Sequence, residues 1–134
     1  MSRAPRLFRP RGAAEGKRER NRRHDERRGS ARSRGYGARW EAARAVFLAE
    51  HPLCLGCEAM GRVVPTVIVD HVVPHRGDEA LFWDEGNWQP VCEWHHAMVK
   101  QRLEGLFDRR AITAADLRLD SRAAVDLSNR LNPP

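Results

Sequence analysis

Residues 70–96 of this chain read DHVVPHRGDEALFWDEGNWQPVCEWHH, a stretch rich in side chains that bind metal ions. It closes on a Cys92-x-x-His95 pair, and a second pair, Cys54-x-x-Cys57, precedes it in the chain. Two such pairs are typical of tetrahedral zinc sites, in which thiolates and imidazoles are the usual ligands. The sequence therefore predicts a fold that a zinc ion (Zn²⁺) holds together.

The predicted zinc site is of the Cys₃His type, with Cys54, Cys57, Cys92 and His95 as its ligands. Four protein ligands leave no open coordination position, so the site would be structural. A core of about seventy residues is marginal by burial alone, and a metal cross-link is physically expected. The sequence leaves open whether His95 or the adjacent His96 faces the zinc. The alternative is three buried free cysteines, since three cysteines cannot all pair as disulfides.

A second set of side chains is interleaved with the first. Asp70, His71, Asn87 and His96 offer a carboxylate, two imidazoles and a carboxamide. Hydrolysis of a phosphodiester requires a base that activates water and a divalent cation that neutralises charge, and these residues can provide both. This set therefore predicts a metal-dependent phosphodiesterase.

The chain from about residue 38 to residue 107 resembles the HNH (ββα-metal) endonucleases, and among them the small phage-encoded type with a structural zinc knuckle. The resemblance rests on the conjunction DHVVP…NWQPVCEWHH…K, bracketed by the two zinc pairs. The three letters of the family name fall on His71, Asn87 and His96. The resemblance implies an α+β fold, in which a helix precedes a ββα-metal (His-Me finger) core held by zinc.

The resemblance also implies roles for the second set. His71 would be the general base, while Asp70 and His96 would hold one catalytic divalent cation. Asn87 would hydrogen-bond across the loop and keep the base in place. Magnesium (Mg²⁺), manganese (Mn²⁺) and nickel (Ni²⁺) all suit such a site, with zinc as an alternative. Neighbouring strand residues point to opposite sides, so Asp70 and His71 can both act only if the strand ends or bends at residues 72–74.

Three further residues are candidates for nucleic-acid binding. His75 and Arg76 follow the expected end of the strand, where they would contact the DNA backbone or stabilise the transition state. Lys100 lies four residues after His96 on a helix predicted from Trp94 to Glu104, so the two share a face and Lys100 could meet a phosphate. The alternatives are ordinary loop residues and a solvated helix lysine.

The positive charge is concentrated at the N-terminus. Residues 1–39 hold 14 Lys and Arg against 4 Asp and Glu, a net charge of +10, and the whole chain carries +6, which leaves −4 for the rest. A basic segment on a mildly acidic body indicates a polyanionic partner, most simply nucleic acid. The alternative is a tail that only keeps the protein soluble or is merely disordered.

Three regions are predicted. Residues 1–36 form a basic arm, rich in Arg, Gly, Ser and Ala, that we expect to be disordered when free. Residues 37–110 form the HNH nuclease domain, whose last helix we expect to stop at Gly105. Residues 111–134 form a C-terminal tail with a short helix. No stretch approaches the roughly 18 apolar residues that a membrane span requires, and no signal-peptide core is present, so we expect no membrane partner.

The sequence as a whole predicts a metal-dependent HNH endonuclease that nicks DNA. The setting that the resemblance implies is the cytoplasm of a phage-infected or lysogenic bacterial host, where the enzyme would process or package phage DNA beside a terminase. The expected cofactors are structural zinc and one catalytic divalent cation, with no organic cofactor. Two alternatives stay open: a non-catalytic, zinc-stabilised DNA-binding module and an RNA-directed nuclease.

Overall fold

The computed structural model describes residues 37–134, so the basic arm and its predicted disorder lie outside the described residues. The described part combines helices with one small antiparallel sheet, and the predicted α+β class is confirmed. No helix in this part is long and apolar enough to cross a bilayer. In chain order its regular elements are α1 (Ala38–Glu50), α2 (Leu55–Ala59), β1 (Ile68–His71), α3 (Glu79–Trp83), a 3₁₀ turn (Glu85–Asn87), β2 (Trp88–Val91), a π-helical turn (His95–Lys100), α4 (Gln101–Asp108), a second 3₁₀ turn (Ala114–Leu117) and α5 (Arg122–Leu131).

The sheet consists of β1 and β2 in antiparallel register. Asp70 lies opposite Gln89, and His71 lies opposite Trp88. Pro90 in β2 has no N–H to donate, which is tolerated because each strand of a two-stranded sheet is an edge. β1 ends at His71, so the chain leaves the sheet directly after the Asp70-His71 pair.

Short acidic side chains order the polar loop between the strands. Asp78 accepts hydrogen bonds from the N–H groups of Ala80 and Leu81 at the start of α3. Asp84 does the same for Gly86 at the start of the 3₁₀ turn. These caps satisfy N–H groups that lack an intrahelical partner. The loop therefore has a defined path beside the end of β1.

The helical segment that carries His96 is longer than predicted. The π-helical turn runs directly into α4, which ends at Asp108, so the stop predicted at Gly105 is wrong. The additional residues bring the half-buried Phe107 against the core. Burial of that ring offsets the roughly 1 kcal/mol that a glycine costs inside a helix.

The main core joins the sheet, the π-helical turn, α4 and the C-terminal segment. Residues 111–134, predicted as a tail, contain the predicted short helix as α5 and also contribute to this core. The boundary predicted at residue 110 therefore does not coincide with a break in the packing. The buried members of the core are Val72, Val91, Val99, Leu103, Leu117, Leu119 and Ala124.

Candidate functional site

The four predicted zinc ligands, Cys54, Cys57, Cys92 and His95, converge on one point. Their sulfur atoms and one imidazole nitrogen all lie within 4.8 Å of one another. Nδ1 of His95 is 3.3 Å from Sγ of Cys92, and the Sγ atoms of Cys57 and Cys92 are 3.8 Å apart. A tetrahedral zinc ion with Zn–S bonds of about 2.3 Å would hold two sulfurs about 3.8 Å apart. The cluster could therefore hold a zinc ion with little rearrangement.

Two short turns present the thiols. Sγ of Cys54 caps α2 by accepting the N–H of Cys57 at 3.4 Å, and Sγ of Cys92 accepts the N–H of His95 at 3.4 Å. Hydrogen bonds of this kind favour the thiolate form that a metal requires. At Gly56 a Cβ atom would lie 2.4 Å from Cδ2 of His95. Only glycine therefore lets α2 approach the imidazole this closely.

The structure distinguishes the two adjacent histidines. Nδ1 of His95 faces the thiols, while its Nε2 lies 3.4 Å from Oγ of Ser128. The Ser128 hydroxyl donates to the carbonyl of Ala124 at 2.7 Å, so it accepts from Nε2–H of His95. His95 thus carries its proton on Nε2 and offers the Nδ1 lone pair to a metal. His95, and not His96, belongs to the thiol cluster.

Burial acts on the protonation of this cluster. It raises the pKa of the Cys54 and Cys57 thiols and lowers the pKa of His95. A divalent cation at this point would supply the missing positive charge and favour the thiolates. Three soft sulfur atoms and one imidazole form a donor set that suits zinc.

Asp70 and His96 form a second pair of potential ligands. Asp70 is 7% exposed near the end of β1, whereas the side chain of His96 is 44% exposed in the π-helical turn. Oδ1 of Asp70 lies 3.7 Å from Nε2 of His96. One cation with bonds of about 2.1 Å could contact both atoms, because two such bonds span up to about 4.2 Å. Among the described residues, only the thiol cluster brings together three or more such ligands, so this pair would leave a cation open positions.

Lys100 lies inside the site. It is 1% exposed, and its ammonium donates to the carbonyl of His71 and to Glu104 at 2.8 Å each, with Oδ2 of Asp70 at 3.0 Å. An ammonium has three hydrogens, so these acceptors use all of them. The sequence analysis predicted that Lys100 contacts nucleic acid, because it lies four residues after His96. That prediction does not agree with the burial of its side chain. The lysine instead holds Asp70.

Gln89 is a site residue that the sequence did not indicate. Its completely buried side chain donates from Nε2 to Oδ2 of Asp70 at 3.0 Å and to the carbonyl of Leu117 at 3.3 Å. Its Oε1 accepts the N–H of Leu119 at 3.0 Å. The carboxamide therefore connects Asp70 to the C-terminal segment. The register of the sheet places it there, because Gln89 is the cross-strand partner of Asp70.

His71, at the end of β1, has its ring in an aromatic pocket. Trp40 of α1 stacks on this ring with a centroid distance of 5.5 Å. Nε2 of His71 lies 3.0 Å from the carbonyl oxygen of Phe82. A carbonyl can only accept, so Nε2 carries the proton and Nδ1 holds the lone pair. Burial lowers the pKa of His71, and the nearby charges of Asp70 and Lys100 act on it in opposite directions. The neutral imidazole is therefore the dominant form at pH 7.

Asn87 bonds across the loop that follows β1. Its Oδ1 accepts the N–H of Val73 at 2.8 Å, and its Nδ2 donates to the carbonyls of Val73 at 2.9 Å and Leu81 at 3.2 Å. Next to it, Nε1 of Trp88 donates to the carbonyl of Phe82 at 2.8 Å. These bonds satisfy the last carbonyls of α3, which lack intrahelical partners. The bond from Trp88 also holds the Phe82 carbonyl in place, and this carbonyl accepts the hydrogen bond from Nε2–H of His71.

The two loop candidates have different surroundings. The ring of His75 lies edge-on to that of His71 with a centroid distance of 4.9 Å, and burial lowers its pKa. Arg76 is exposed at a backbone φ of +47° and pairs with Asp108 at the end of α4. Both lie in the loop that follows β1, four and five residues after His71.

Arg39 is a further exposed cation next to the aromatic pocket. Its guanidinium lies 4.0 Å from the centroid of the Trp83 ring. Trp83 in turn lies edge-on to Trp40, the residue that stacks on His71. The sequence pattern of α1 could not predict that Arg39 lies at the site, because its partner Trp83 is forty-four residues away in the chain.

Comparison of the chain with protein-family models, with curated proteins and with solved structures gave no match.

Proposed function

We propose that this protein is a metal-dependent endonuclease of the HNH, ββα-metal type that hydrolyses phosphodiester bonds of DNA, one strand at a time. The single observation that carries the proposal is the geometry at the end of β1. Asp70 pairs with His96 at 3.7 Å, and the next residue, His71, donates Nε2–H to the Phe82 carbonyl at 3.0 Å. An open ligand pair thus adjoins an imidazole that the Phe82 carbonyl holds with its proton on Nε2.

The order of elements supports the ββα-metal assignment. The base and the first ligand come from β1, Asn87 comes immediately before β2, and His96 comes from the helical segment after β2. The proposed zinc ligands flank the two strands in the chain and connect α2 to the start of that segment. In the proposal, β1, β2 and the segment from His95 to Asp108 are the two strands and the helix of the motif.

In the proposed reaction His71 accepts a proton from water at Nδ1, and the water oxygen attacks the phosphorus as the bond to the 3′ oxygen breaks. The 3′ oxygen leaves as an alkoxide and takes a proton from solvent water, so the products carry 5′-phosphate and 3′-hydroxyl ends. The Phe82 carbonyl fixes the ring and stabilises the imidazolium that forms. Asp70 and His96 would hold the divalent cation, which when bound neutralises phosphate charge and stabilises the leaving oxygen. Asn87 acts by holding the loop that carries the Phe82 carbonyl.

The proposed partner is DNA, and the basic residues of the chain provide the reason. Residues 1–39 carry a net charge of +10. Arg39 is an exposed cation beside the aromatic pocket of His71, and Arg76 is an exposed cation in the loop that follows β1. Contacts of this kind give affinity without sequence preference, and that affinity falls steeply with salt. A role in phage DNA processing or packaging, with a terminase as partner, rests on the family resemblance alone.

A second candidate function is a non-catalytic, zinc-stabilised DNA-binding module. The observation that favours it is the ammonium of Lys100, which already lies 3.0 Å from Oδ2 of Asp70 as a counter-ion. A carboxylate balanced in this way does not require a metal for its charge. Cleavage by the protein would separate the two candidates.

The deciding experiment is nicking of supercoiled plasmid by the purified, zinc-loaded protein with Mg²⁺, Mn²⁺ or Ni²⁺. His71→Ala is the test variant, and His51→Ala is the matched control, since His51 is an exposed histidine outside the site. We expect open-circle product from the wild type and from the control, with a loss of about 10²- to 10⁴-fold in His71→Ala. DNA binding without cleavage in all three would support the binding module. Matched DNA and RNA duplexes would then test the choice of nucleic acid.

A further inference from the structure

The two oxygens of the Asp70 carboxylate have different surroundings. Oδ2 lies 3.0 Å from Nζ of Lys100 and accepts a hydrogen bond from Nε2 of Gln89, also at 3.0 Å. Oδ1 lies toward His96, 3.7 Å from its Nε2. One oxygen is thus committed to the protein, and the other is left for a cation.

Lys100 cannot readily leave this position. Its three hydrogens go to Asp70, to Glu104 and to the carbonyl of His71, and its side chain is 1% exposed. Removal of the ammonium from these acceptors would leave buried polar groups unpaired, which is strongly unfavourable. A positive charge is therefore held permanently beside the ligand pair.

This charge reduces the attraction of the site for a free cation. Lys100 balances Asp70, and His96 binds a metal in its neutral form. Glu104 adds one negative charge nearby, but its side chain is 33% exposed and its Oε1 is bonded to Lys100. Two protein ligands with so little net charge bind a hard divalent cation weakly unless a phosphate adds charge and oxygen ligands.

We propose that Lys100 is a positioning residue that keeps the affinity of the Asp70–His96 pair for free divalent cations low, so that the cation is retained only together with a DNA phosphate. Gln89 contributes by fixing Oδ2 on the side of Lys100. The inference rests on the proposed function. Because linkage is reciprocal, DNA and the cation bind cooperatively, and each raises the affinity of the protein for the other by the same factor.

The first test measures Mn²⁺ binding by electron paramagnetic resonance, with the full-length, zinc-loaded protein in the absence of DNA. His96→Ala defines the binding that does not involve the pair. We expect Lys100→Met to bind Mn²⁺ about tenfold more tightly than the wild type, because a positive charge next to the ligand is removed. Lys100→Arg keeps the charge and should stay close to the wild type.

Glu104→Gln gives the opposite sign and does not depend on the folding of a buried variant. Its loss of a partly exposed negative charge leaves the Lys100 charge less balanced, so Mn²⁺ affinity should fall severalfold. If neither Lys100→Met nor Glu104→Gln changes the affinity while both retain zinc, the proposal is overturned. The proposal is also overturned if both variants raise the Mn²⁺ affinity or both lower it.

The second test measures cooperativity in a His71→Ala background, in which we expect cleavage to be too slow to consume the duplex during the titration. We expect a short DNA duplex to bind at least tenfold more tightly with Mn²⁺ than without it, and this factor to shrink in the His71→Ala/Lys100→Met protein. Equal duplex affinity with and without Mn²⁺ would contradict the inference. Failure of the wild type to nick plasmid would instead contradict the proposed function, so the two failures are distinguishable.

Discussion

The imidazole of His95 and the hydroxyl of Ser128 lie 3.4 Å apart, although thirty-two residues separate them in the chain. Ser128 is buried in α5 and donates its own proton to the carbonyl of Ala124, so it accepts from Nε2–H of His95. Helix α5, which the sequence analysis placed in a tail, therefore orients a residue of the cluster that could hold zinc. Outer partners of this kind set the tautomer and direction of a metal-binding histidine.

Ser128→Ala should weaken zinc binding about 10- to 100-fold, because His95 loses the acceptor that fixes its ring. The measurement is competition for zinc with a chromogenic chelator of known affinity. Ser121→Ala is the matched control, since Ser121 caps α5 without touching the cluster. The control should lose stability but keep its zinc affinity. Equal zinc affinity in Ser128→Ala and the wild type would show that the hydrogen bond has no such role.

Gly56→Ala should abolish stoichiometric zinc binding, because the added Cβ would lie 2.4 Å from Cδ2 of His95. Structural zinc contributes on the order of 10–16 kcal/mol to the folding of small domains, so the variant should also unfold at low denaturant. Gly105→Ala is the control, since its Cβ meets nothing within 4 Å and a helix interior favours alanine. Zinc content by mass spectrometry and urea unfolding would report both effects. A zinc-loaded, stable Gly56→Ala would contradict the close approach of α2 to His95.

Asn87→Ala should destabilise the fold by about 2–4 kcal/mol, because it leaves the Val73 N–H and two carbonyls without their side-chain partner. Asn87→Asp keeps the acceptor for Val73 but loses both donors, so its loss of stability should be comparable. Nicking should fall in both variants, since the loop that carries the Phe82 carbonyl is loosened. Urea unfolding and plasmid nicking at a temperature where each variant is folded would separate the two effects. Unchanged nicking in the folded variants would remove Asn87 from the mechanism.

The pH dependence of nicking should reflect a lowered pKa of His71. A general base acts in its neutral form, whose population increases with pH, and burial lowers the pKa of this histidine below its usual value of 6.5. The rate should therefore be on its plateau at pH 7. It should fall as the pH is lowered, with a midpoint below pH 6.5. Trp40→Ala exposes the His71 ring, so its midpoint should move upward. A wild-type midpoint above pH 7 would contradict this assignment of the base.

The Cys₃His cluster that could hold zinc was predictable because each of its two pairs is local. Cys54 and Cys57, like Cys92 and His95, lie three residues apart, so one short turn brings each pair together whatever the remaining fold. The choice between His95 and His96 was not predictable in this way. It depends on the rotation of the helical segment, which packing against α5 determines.

Lys100 shows why spacing alone was insufficient at the second site. Its position four residues after His96 indicated a shared face but did not say whether that face meets solvent or protein. The structure buries it between Asp70 and Glu104, because the segment that carries it packs against the end of β1. Gln89 was missed for a related reason: its partners Asp70, Leu117 and Leu119 come from two other parts of the chain.

The sequence by itself determined the residue types of the two candidate sites and the concentration of positive charge in residues 1–39. These properties follow from composition and from spacings of a few residues, over which the backbone allows few conformations. Only the tertiary structure decided that His95 faces the thiols, that Lys100 is buried beside Asp70 and that residues 111–134 complete the core. Such contacts join residues far apart in the chain. They depend on how helices and strands exclude water from their shared surface, which no local pattern encodes.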